Sequence, residues 1–238
     1  KLDGMLTDYP GATLLQAKGS RLRLVMETDG SLSLIASKKS NVRNPDDLKG
    51  KNISVSGNTF VEYATDEVMK RACLHPGEVN KPEINNIPLR LMMLEDGQIS
   101  ASFLPGPATA IALNDGHTAL LNTRQMGLRC TGIVFSEKAI TEKDEEIRRF
   151  ITGYNLGVKY LQTRPQNEWT EILVKEFGLQ EKAAMQIDLP DYRPATRPSY
   201  HDIEKIIAWL KSKGAIPDYY PGENLVDTTF IPGTLKPQ

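Results

Sequence analysis

Residues 48–66 read Leu-Lys-Gly-Lys-Asn-Ile-Ser-Val-Ser-Gly-Asn-Thr-Phe-Val-Glu-Tyr-Ala-Thr-Asp and contain a complete strand–loop–helix unit. Alternating β-branched and small residues predict a strand over residues 53–56. Thr59 followed by Glu62 is typical of a capping box at the start of a helix. Apolar residues then recur at helical spacing, at Val61, Ala64, Val68 and Ala72. The stretch therefore predicts a strand and a helix joined by a short polar loop.

The same alternation extends through the first two thirds of the 238-residue chain. We predict further strands over 2–7, 22–27, 31–37, 82–87, 99–104, 118–121 and 128–136, and helices over 10–18, 89–94 and 107–114. Such alternation indicates an α/β fold with a mainly parallel sheet and helices on its faces. The fold class is therefore α/β.

The last third of the chain is nearly all helix by its pattern. We predict helices capped by Thr141, over 166–177 and after Ser199, with an irregular proline-rich stretch over 188–198 and an extended tail over 219–237. We expect these helices to cover the sheet of the opening strands, which otherwise lacks enough helices.

The composition is that of an ordinary globular protein and points away from several function classes. Lys plus Arg number 29 against 30 Asp plus Glu, so no long-range field favours nucleic acid as a partner. No apolar run reaches the roughly 20 residues that span a bilayer. The three histidines lack metal-ligand spacing, and no phosphate loop or nucleophile–base pattern is present, so we expect no metal, no cofactor and no enzyme. We expect Cys73 and Cys130 to be buried thiols, with a disulfide as the alternative.

Four segments carry a family resemblance. They are residues 1–12 (KLDGMLTDYPGA), residues 48–66, residues 94–110 (LEDGQISASFLPGPATA) and the closing 225–232 (LVDTTFIP). In order and at this spacing they resemble the NMT1/THI5-like family of ABC-importer substrate-binding proteins, whose members take nitrate, sulfonates or thiamine precursors. The resemblance covers essentially the whole chain from Lys1.

The resemblance implies a periplasmic-binding-protein-like fold of type II, in which two lobes are joined by two crossing strands and hold ligand in a cleft. Lobe one would comprise 1–33 and 135–238, and lobe two 34–134, with 31–37 and 131–136 as hinge strands. Family members begin with a further strand–helix–strand unit that we expect to be missing upstream. We therefore expect the sheet of lobe one to be either incomplete or completed by another chain.

The resemblance also implies a function and partners. The chain would be a monomeric, extracytoplasmic protein, periplasmic or lipid-anchored to the outer face of the cytoplasmic membrane, that delivers a small-molecule ligand to an ABC permease. Two alternatives share the fold: an enzyme of the thiamine-pyrimidine-synthase type, whose Cys-rich run and iron-supporting His are absent from this sequence, and the ligand-sensing domain of a regulator.

Open α/β sheets bind ligands beyond the carboxyl ends of their strands, so the residues just after each strand are the candidate site. Together with the family resemblance, this selects as ligand-binding candidates Thr7, Asp8, Tyr9, Ser56, Gly57, Asn58, Thr59, Tyr63, Pro105, Gly106 and Arg129.

Each candidate has a structural alternative. Asp8 either caps the following helix alone or also lines a pocket, and Tyr9 either faces ligand or packs. Gly57 allows close backbone approach, whereas the hydroxyl of Thr59 is expected to be occupied by capping, which favours Ser56, Gly57 and Asn58. Tyr63 is equally compatible with a position in the cleft and a position in the core.

Two further alternatives remain open. The loop from Pro105 to Pro107 either lines the cleft or is only a rigid turn into a helix. Arg129 either clamps an anionic group or is solvated or salt-bridged. The strand-end loops themselves carry Asp8 and Glu62 but no Lys or Arg, so a ligand with an amine or a polar aromatic ring is at least as compatible as a simple anion.

Overall fold

The structure, a computed structural model, describes residues 2–185, 187, 189 and 191–231. The chain folds into two compact units. Unit 1 comprises the described parts of Lys1–Gly30, Arg129–Thr163 and Asp191–Gln238, and unit 2 those of Ser31–Leu128 and Arg164–Pro190. The predicted lobes share this discontinuous order, and they stay a prediction. They differ from the units in one long segment, since the prediction placed 164–190 in lobe one.

The strands and helices are numbered in chain order. The strands are β1 (Gly4–Asp8), β2 (Leu22–Thr28), β3 (Leu32–Ala36), β4 (Ile53–Ser54), β5 (Ala101–Pro105), β6 (Thr118–Asn122) and β7 (Thr131–Ser136). The α-helices are α1 (Tyr9–Ala17), α2 (Phe60–Arg71), α3 (Ile87–Asp96), α4 (Gly106–Asn114), α5 (Glu137–Glu142), α6 (Asp144–Thr163), α7 (Gln166–Phe177), α8 (Glu181–Met185) and α9 (Tyr200–Ser212). A 3-10 helix covers Pro45–Leu48.

The sheet of unit 1 has the order β1-β7-β2, and β7 is antiparallel to both neighbours. The expectation of a mainly parallel sheet is therefore wrong for the described residues. The physical reason is the path of the chain: β1 and β2 are joined by α1, and β7, which follows the return of the chain from unit 2 at Arg129, lies between them in the opposite direction. Within the described residues the sheet has three strands, and Leu6 on the edge strand β1 is 67% exposed.

Close packing at the centre of this sheet depends on Gly132 in β7. A Cβ at this position would lie 2.6 Å from the carbonyl oxygen of Met26 and 2.8 Å from Leu24 Cδ1. Contacts this short are incompatible with a side chain, so glycine allows β7 to approach β2.

The helical part of the chain covers both units rather than one sheet. In unit 1, Val25, Met26 and Ile133 of the sheet pack against Ile147 and Ile151 of α6. In unit 2, α8 packs on α4, and Ala110 and Ile187 form a small core with leucines from 173 to 189. The prediction that the helical tail covers the opening sheet is thus confirmed for α6 and wrong for α7 and α8.

The sheet of unit 2 has the order β4-β5-β3-β6, with β4 parallel to β5 and β3 antiparallel to both neighbours. Its core includes Ile35, Leu94, Ile99 and Leu104, all nearly inaccessible to solvent. The predicted strand over 82–87 is wrong. Within these residues only one isolated bridge forms, Val55↔Glu83, because Pro82 has no N–H to donate and α3 already begins at Ile87.

Three local predictions also need correction. Thr141 does not cap a helix; it lies within α5, which is capped by Ser136, and its hydroxyl donates to the carbonyl of Glu137. Cys73 is exposed rather than buried, because α2 ends at Arg71 and Cys73 turns the chain outward with φ 53°. Cys130 is buried, and both thiols are free.

The tail contributes one bridge to the sheet of unit 1, where Val226 lies parallel to Leu24. The predicted extended arm over 219–237 lies outside the described residues from residue 232 onward. Among the described residues, no helix combines the length and the apolar character needed to cross a membrane.

Candidate functional site

The loop between β4 and α2 in unit 2 holds the best-defined group of predicted site residues. Ser56, Gly57, Asn58 and Thr59 are all half-buried. Asn58 has φ 56°, in the left-handed region that few residues other than glycine and asparagine adopt. This conformation makes a sharp turn directly in front of α2.

Thr59 is occupied by capping, as the sequence predicts. Its hydroxyl accepts a hydrogen bond from the N–H of Val61 at 3.2 Å and donates to the carbonyl of Ser56 at 2.8 Å. Glu62 accepts from the N–H of Asn58 at 2.7 Å, one residue before the helix cap. The hydroxyl of Thr59 and one carboxylate oxygen of Glu62 therefore serve the loop itself, which leaves Ser56, Gly57 and Asn58 as the candidates for ligand contact.

The charge of Glu62 is balanced within unit 2. Lys81 Nζ lies 3.3 Å from Glu62 Oε1 and 2.7 Å from Asp66 Oδ1. Partial burial lowers the pKa of Lys81, but the hydrogen bonds and charges of Asp66 and Glu62 outweigh it, so its pKa is raised overall. Lys81 is therefore a permanent cation that neutralises this pair of acids.

Glu83 and Asn85 lie beside this loop and were not among the residues predicted from the sequence. Ser56 Oγ donates to Asn85 Oδ1 at 2.6 Å, and Asn85 Nδ2 donates to Glu83 Oε1 at 3.1 Å. The available signal was the short segment after residue 80, which we predicted as a strand. Its bridge between Val55 and Glu83 places the residues that follow it beside the end of β4.

The other predicted residues of unit 2 divide between surface and core. Pro105 and Gly106 are half-buried where β5 passes into α4, and a Cβ at Gly106 would meet no atom within 4 Å. Open space thus adjoins this turn. Tyr63 is 4% exposed and belongs to the core.

In unit 1, Thr7 and Asp8 end β1, and Asp8 caps α1 by accepting from the N–H of Gly11 at 2.7 Å. Tyr9 is completely buried, so it packs rather than presenting an aromatic face. Its hydroxyl donates to Glu27 Oε2 at 3.0 Å. Burial, followed by the neighbouring charge of Glu27, raises the pKa of Tyr9 far above its ordinary value, so it remains a neutral donor.

Arg129 is salt-bridged, which is one of the two alternatives drawn from the sequence. Its Nη1 lies 3.0 Å from Asp29 Oδ1, and 45% of its side chain is exposed. Arg193 binds the same carboxylate: its Nε donates to Oδ1 at 2.9 Å and its backbone N–H to Oδ2 at 2.8 Å. Arg193 Nη2 also lies 2.7 Å from Glu27 Oε1.

This ion-pair cluster (Glu27, Asp29, Arg129 and Arg193) sits where segments of unit 1 meet. The chain passes between the units after residues 30, 128, 163 and 190. Asp29 therefore precedes the first passage by one residue, Arg129 follows the second directly, and Arg193 follows the last by three. Asp29 was not among the residues predicted from the sequence, because the acid and its two arginines are 100 and 164 positions apart.

Two tyrosines adjoin the cluster. Burial, then the charge of Asp29, raises the pKa of both Tyr154, to about 12, and Tyr192. The hydroxyl of Tyr154 is buried and has no hydrogen-bond partner among the described residues. The phenols therefore remain protonated at neutral pH, and they give the cluster an aromatic surround.

Two cavities in the described part of the chain are lined by none of the predicted site residues. One of about 1080 Å³ lies in unit 1 beside the beginnings of β1 and β2 and the end of β7, and one of about 630 Å³ lies in unit 2 beside the end of α2. Neither is lined by the residues at the carboxyl ends of β1, β4 and β5, where the polar loops are, so we keep these loops as the candidate site. No group of three or more His, Cys, Asp or Glu residues in the described ranges could hold a metal ion.

The chain is similar to a known protein family and to several solved structures. The family model described as NMT1/THI5 like matches residues 7–168, more than half of the chain. No curated protein sequence matches.

Among solved structures, the periplasmic aliphatic sulphonate binding protein SsuA from Escherichia coli aligns with a TM-score of 0.80 and 14% identity, covering 98% of this chain and 78% of that one. The alkanesulfonate-binding protein SsuA from Xanthomonas axonopodis pv. citri, bound to MOPS, aligns with a TM-score of 0.76 and 18% identity over 91% and 77% of the chains. The desulfurization enzyme DSZB aligns with a TM-score of 0.67 and 11% identity over 95% and 83%. At these identities the likeness shows the periplasmic-binding-protein fold, as the sequence predicts.

Proposed function

The chain belongs to the NMT1/THI5-like family, and we propose that it is the extracytoplasmic solute-binding component of an ABC importer. It captures a small polar molecule, and the candidate classes are a sulfonate, a nitrate-like anion and a pyrimidine-type thiamine precursor. It acts as a monomer, either periplasmic or lipid-anchored, and delivers its ligand to a membrane permease. The cleft between lobes that the family resemblance implies remains a prediction.

The observation that carries this proposal is the loop after β4. Ser56, Gly57 and Asn58 present polar and backbone groups at the end of a strand, which is where open α/β sheets bind ligands. Hydrogen bonds to Glu62 and from Thr59 hold the loop around the left-handed Asn58. A preformed loop loses little conformational entropy on binding, which suits a capture protein.

The buried thiol of unit 1 is not activated for nucleophilic catalysis. Cys130 is buried, and burial raises the pKa of its thiol, whereas a nucleophilic cysteine needs a lowered pKa. This argues against nucleophilic catalysis by Cys130, and DSZB shows that the fold also serves an enzyme. Incubation with a bound ligand followed by NMR of that ligand separates the two functions: a binding protein returns the ligand unchanged, and an enzyme yields product.

A thermal-shift screen tests the binding function. Ligand at 100 times its Kd stabilises the native state by about 2.7 kcal/mol. For a protein of this size that corresponds to roughly 5–10 °C in Tm. The panel contains ethanesulfonate, nitrate and 4-amino-5-hydroxymethyl-2-methylpyrimidine. We expect one class to raise the Tm by this amount; a panel in which none does so contradicts the proposal.

The structure supplies a matched pair of variants. Asn58→Gly removes the amide side chain while suiting the positive φ, and Asn41→Gly does the same at φ 58° elsewhere in unit 2. We expect Asn58→Gly to weaken binding of the stabilising ligand and Asn41→Gly to leave it unchanged. Equal effects of the two variants would remove the loop from the site.

A further inference from the structure

The carboxylate of Glu83 lies against the loop after β4. A Cβ built on Gly57 would stand 2.8 Å from Glu83 Oε1, 2.9 Å from Cδ and 3.0 Å from Oε2. The whole carboxylate group therefore lies across the α-carbon of Gly57, in space that any other residue would fill. Gly57 thus does more than allow a ligand to approach, because it makes room for Glu83 at the strand end.

Hydrogen bonds hold this carboxylate in place. The Ser56 hydroxyl donates to the Asn85 side-chain oxygen, and the Asn85 amide nitrogen donates to Glu83 Oε1. In this series of hydrogen bonds each donor group is directed toward Glu83, and the first donor is Ser56 of the loop. The loop therefore fixes the orientation of the Glu83 carboxylate. Glu83 is exposed, and Oε2 remains available to accept a further hydrogen bond from outside the protein.

The charge of Glu83 is also uncompensated, unlike that of its acidic neighbours. Glu62 and Asp66 share Lys81, whereas in the described part of the chain no Lys, Arg or His forms an ion pair with Glu83. An anionic group placed at Ser56, Gly57 and Asn58 would meet this carboxylate at close range and be repelled. A group that carries N–H donors would instead gain a charge-assisted hydrogen bond.

We infer that Glu83 determines ligand specificity by accepting a hydrogen bond from an amine of the ligand, and that it discriminates against sulfonates and nitrate at this loop. The inference rests on the proposed binding function and selects one ligand class within it, an amine-bearing polar molecule such as an aminopyrimidine. Gly57 and Asn85 are positioning residues for this carboxylate.

Calorimetric titration of the purified chain with two probes tests the inference. The probes are 4-amino-5-hydroxymethyl-2-methylpyrimidine, which carries an amine, and ethanesulfonate, which carries an anion. Glu83→Gln removes the charge and keeps the shape, and Glu67→Gln is the control, since it makes the same charge change in unit 2 at a residue whose ion-pair partner, Lys70, lies 4.0 Å away. Thermal unfolding without ligand checks that both variants fold.

We expect the wild-type chain to bind the aminopyrimidine in preference to ethanesulfonate. Glu83→Gln should weaken aminopyrimidine binding about 10- to 100-fold, as expected for loss of a hydrogen bond to a charged group, and Glu67→Gln should change it less than 3-fold. A gain of ethanesulfonate affinity in Glu83→Gln would further support the inference.

Two outcomes overturn the inference and leave the binding function standing. One is a wild-type chain that binds ethanesulfonate more tightly than the aminopyrimidine, and the other is aminopyrimidine binding that is unchanged in Glu83→Gln. If neither probe binds, the inference is overturned as well. The thermal-shift screen, whose panel also contains nitrate, then tests the proposed function separately.

Discussion

Removal of the Asp29 carboxylate should destabilise unit 1 substantially. Asp29 is 8% exposed and accepts three hydrogen bonds, at 2.8, 2.9 and 3.0 Å, from Arg193 and Arg129. Loss of one partner from a buried ion pair costs about 3–5 kcal/mol. The arginines are 39% and 45% exposed and regain water after the change, which lowers the cost. We therefore expect Asp29→Ala to reduce the free energy of unfolding by about 2–4 kcal/mol.

The assay is urea-induced unfolding followed by the fluorescence of Trp209, which lies on α9 in unit 1. A Trp169→Phe background removes the signal of the second tryptophan, on α7 in unit 2. The control is Asp144→Ala, which breaks an exposed ion pair with Arg148 and should cost less than about 0.5 kcal/mol. A cost below about 1 kcal/mol for Asp29→Ala would refute the role that we assign to the cluster.

Three further predictions follow from named contacts. Gly132→Ala should reduce the free energy of unfolding by about 3 kcal/mol or more, because its Cβ meets the backbone of Met26. Gly153→Ala in α6, where a Cβ meets nothing within 4 Å, should instead stabilise the chain. Chemical denaturation compares the two variants. Tyr9→Phe removes the hydroxyl from the buried carboxylate of Glu27 and should cost about 1–3 kcal/mol in differential scanning calorimetry, and an unchanged Tm would refute this. His117 accepts the N–H of Lys38 through Nδ1 and lies 3.1 Å from Glu95, and burial, despite the opposing charge of Glu95, lowers its pKa below 6.5. The neutral ring is therefore favoured by folding, so stability is complete above about pH 6.5 and falls as the pH drops through the lower folded pKa; His117→Gln should lose less Tm than the wild type between pH 7.5 and 5.

Local sequence pattern was enough to find most of the elements. The strand and helix of residues 48–66, the helix over 166–177 and the Ser199 cap all follow from short-range periodicity and capping, and the structure confirms them. Sheet pairing was not accessible in the same way. The direction of β7 relative to β1 and β2 depends on the path by which the chain returns to unit 1. The local pattern of residues 131–136 contains no information about that direction.

The candidate site shows the same division. Thr59 and Asp8 were correctly identified as caps, because capping is a contact between residues two or three positions apart. Glu83 and Asp29 were missed, because their roles depend on partners brought near by the fold: Gly57 in one case, and Arg129 and Arg193 in the other. Contacts across 26 or more positions require the topology before they can be read.

The most direct test of the solute-binding function is isothermal titration calorimetry of the purified chain with the ligand that raises its Tm most. We predict a saturable isotherm with one site per chain and a Kd in the micromolar range or below, abolished or strongly weakened by Asn58→Gly. A titration that releases no saturable heat up to millimolar ligand would contradict the account.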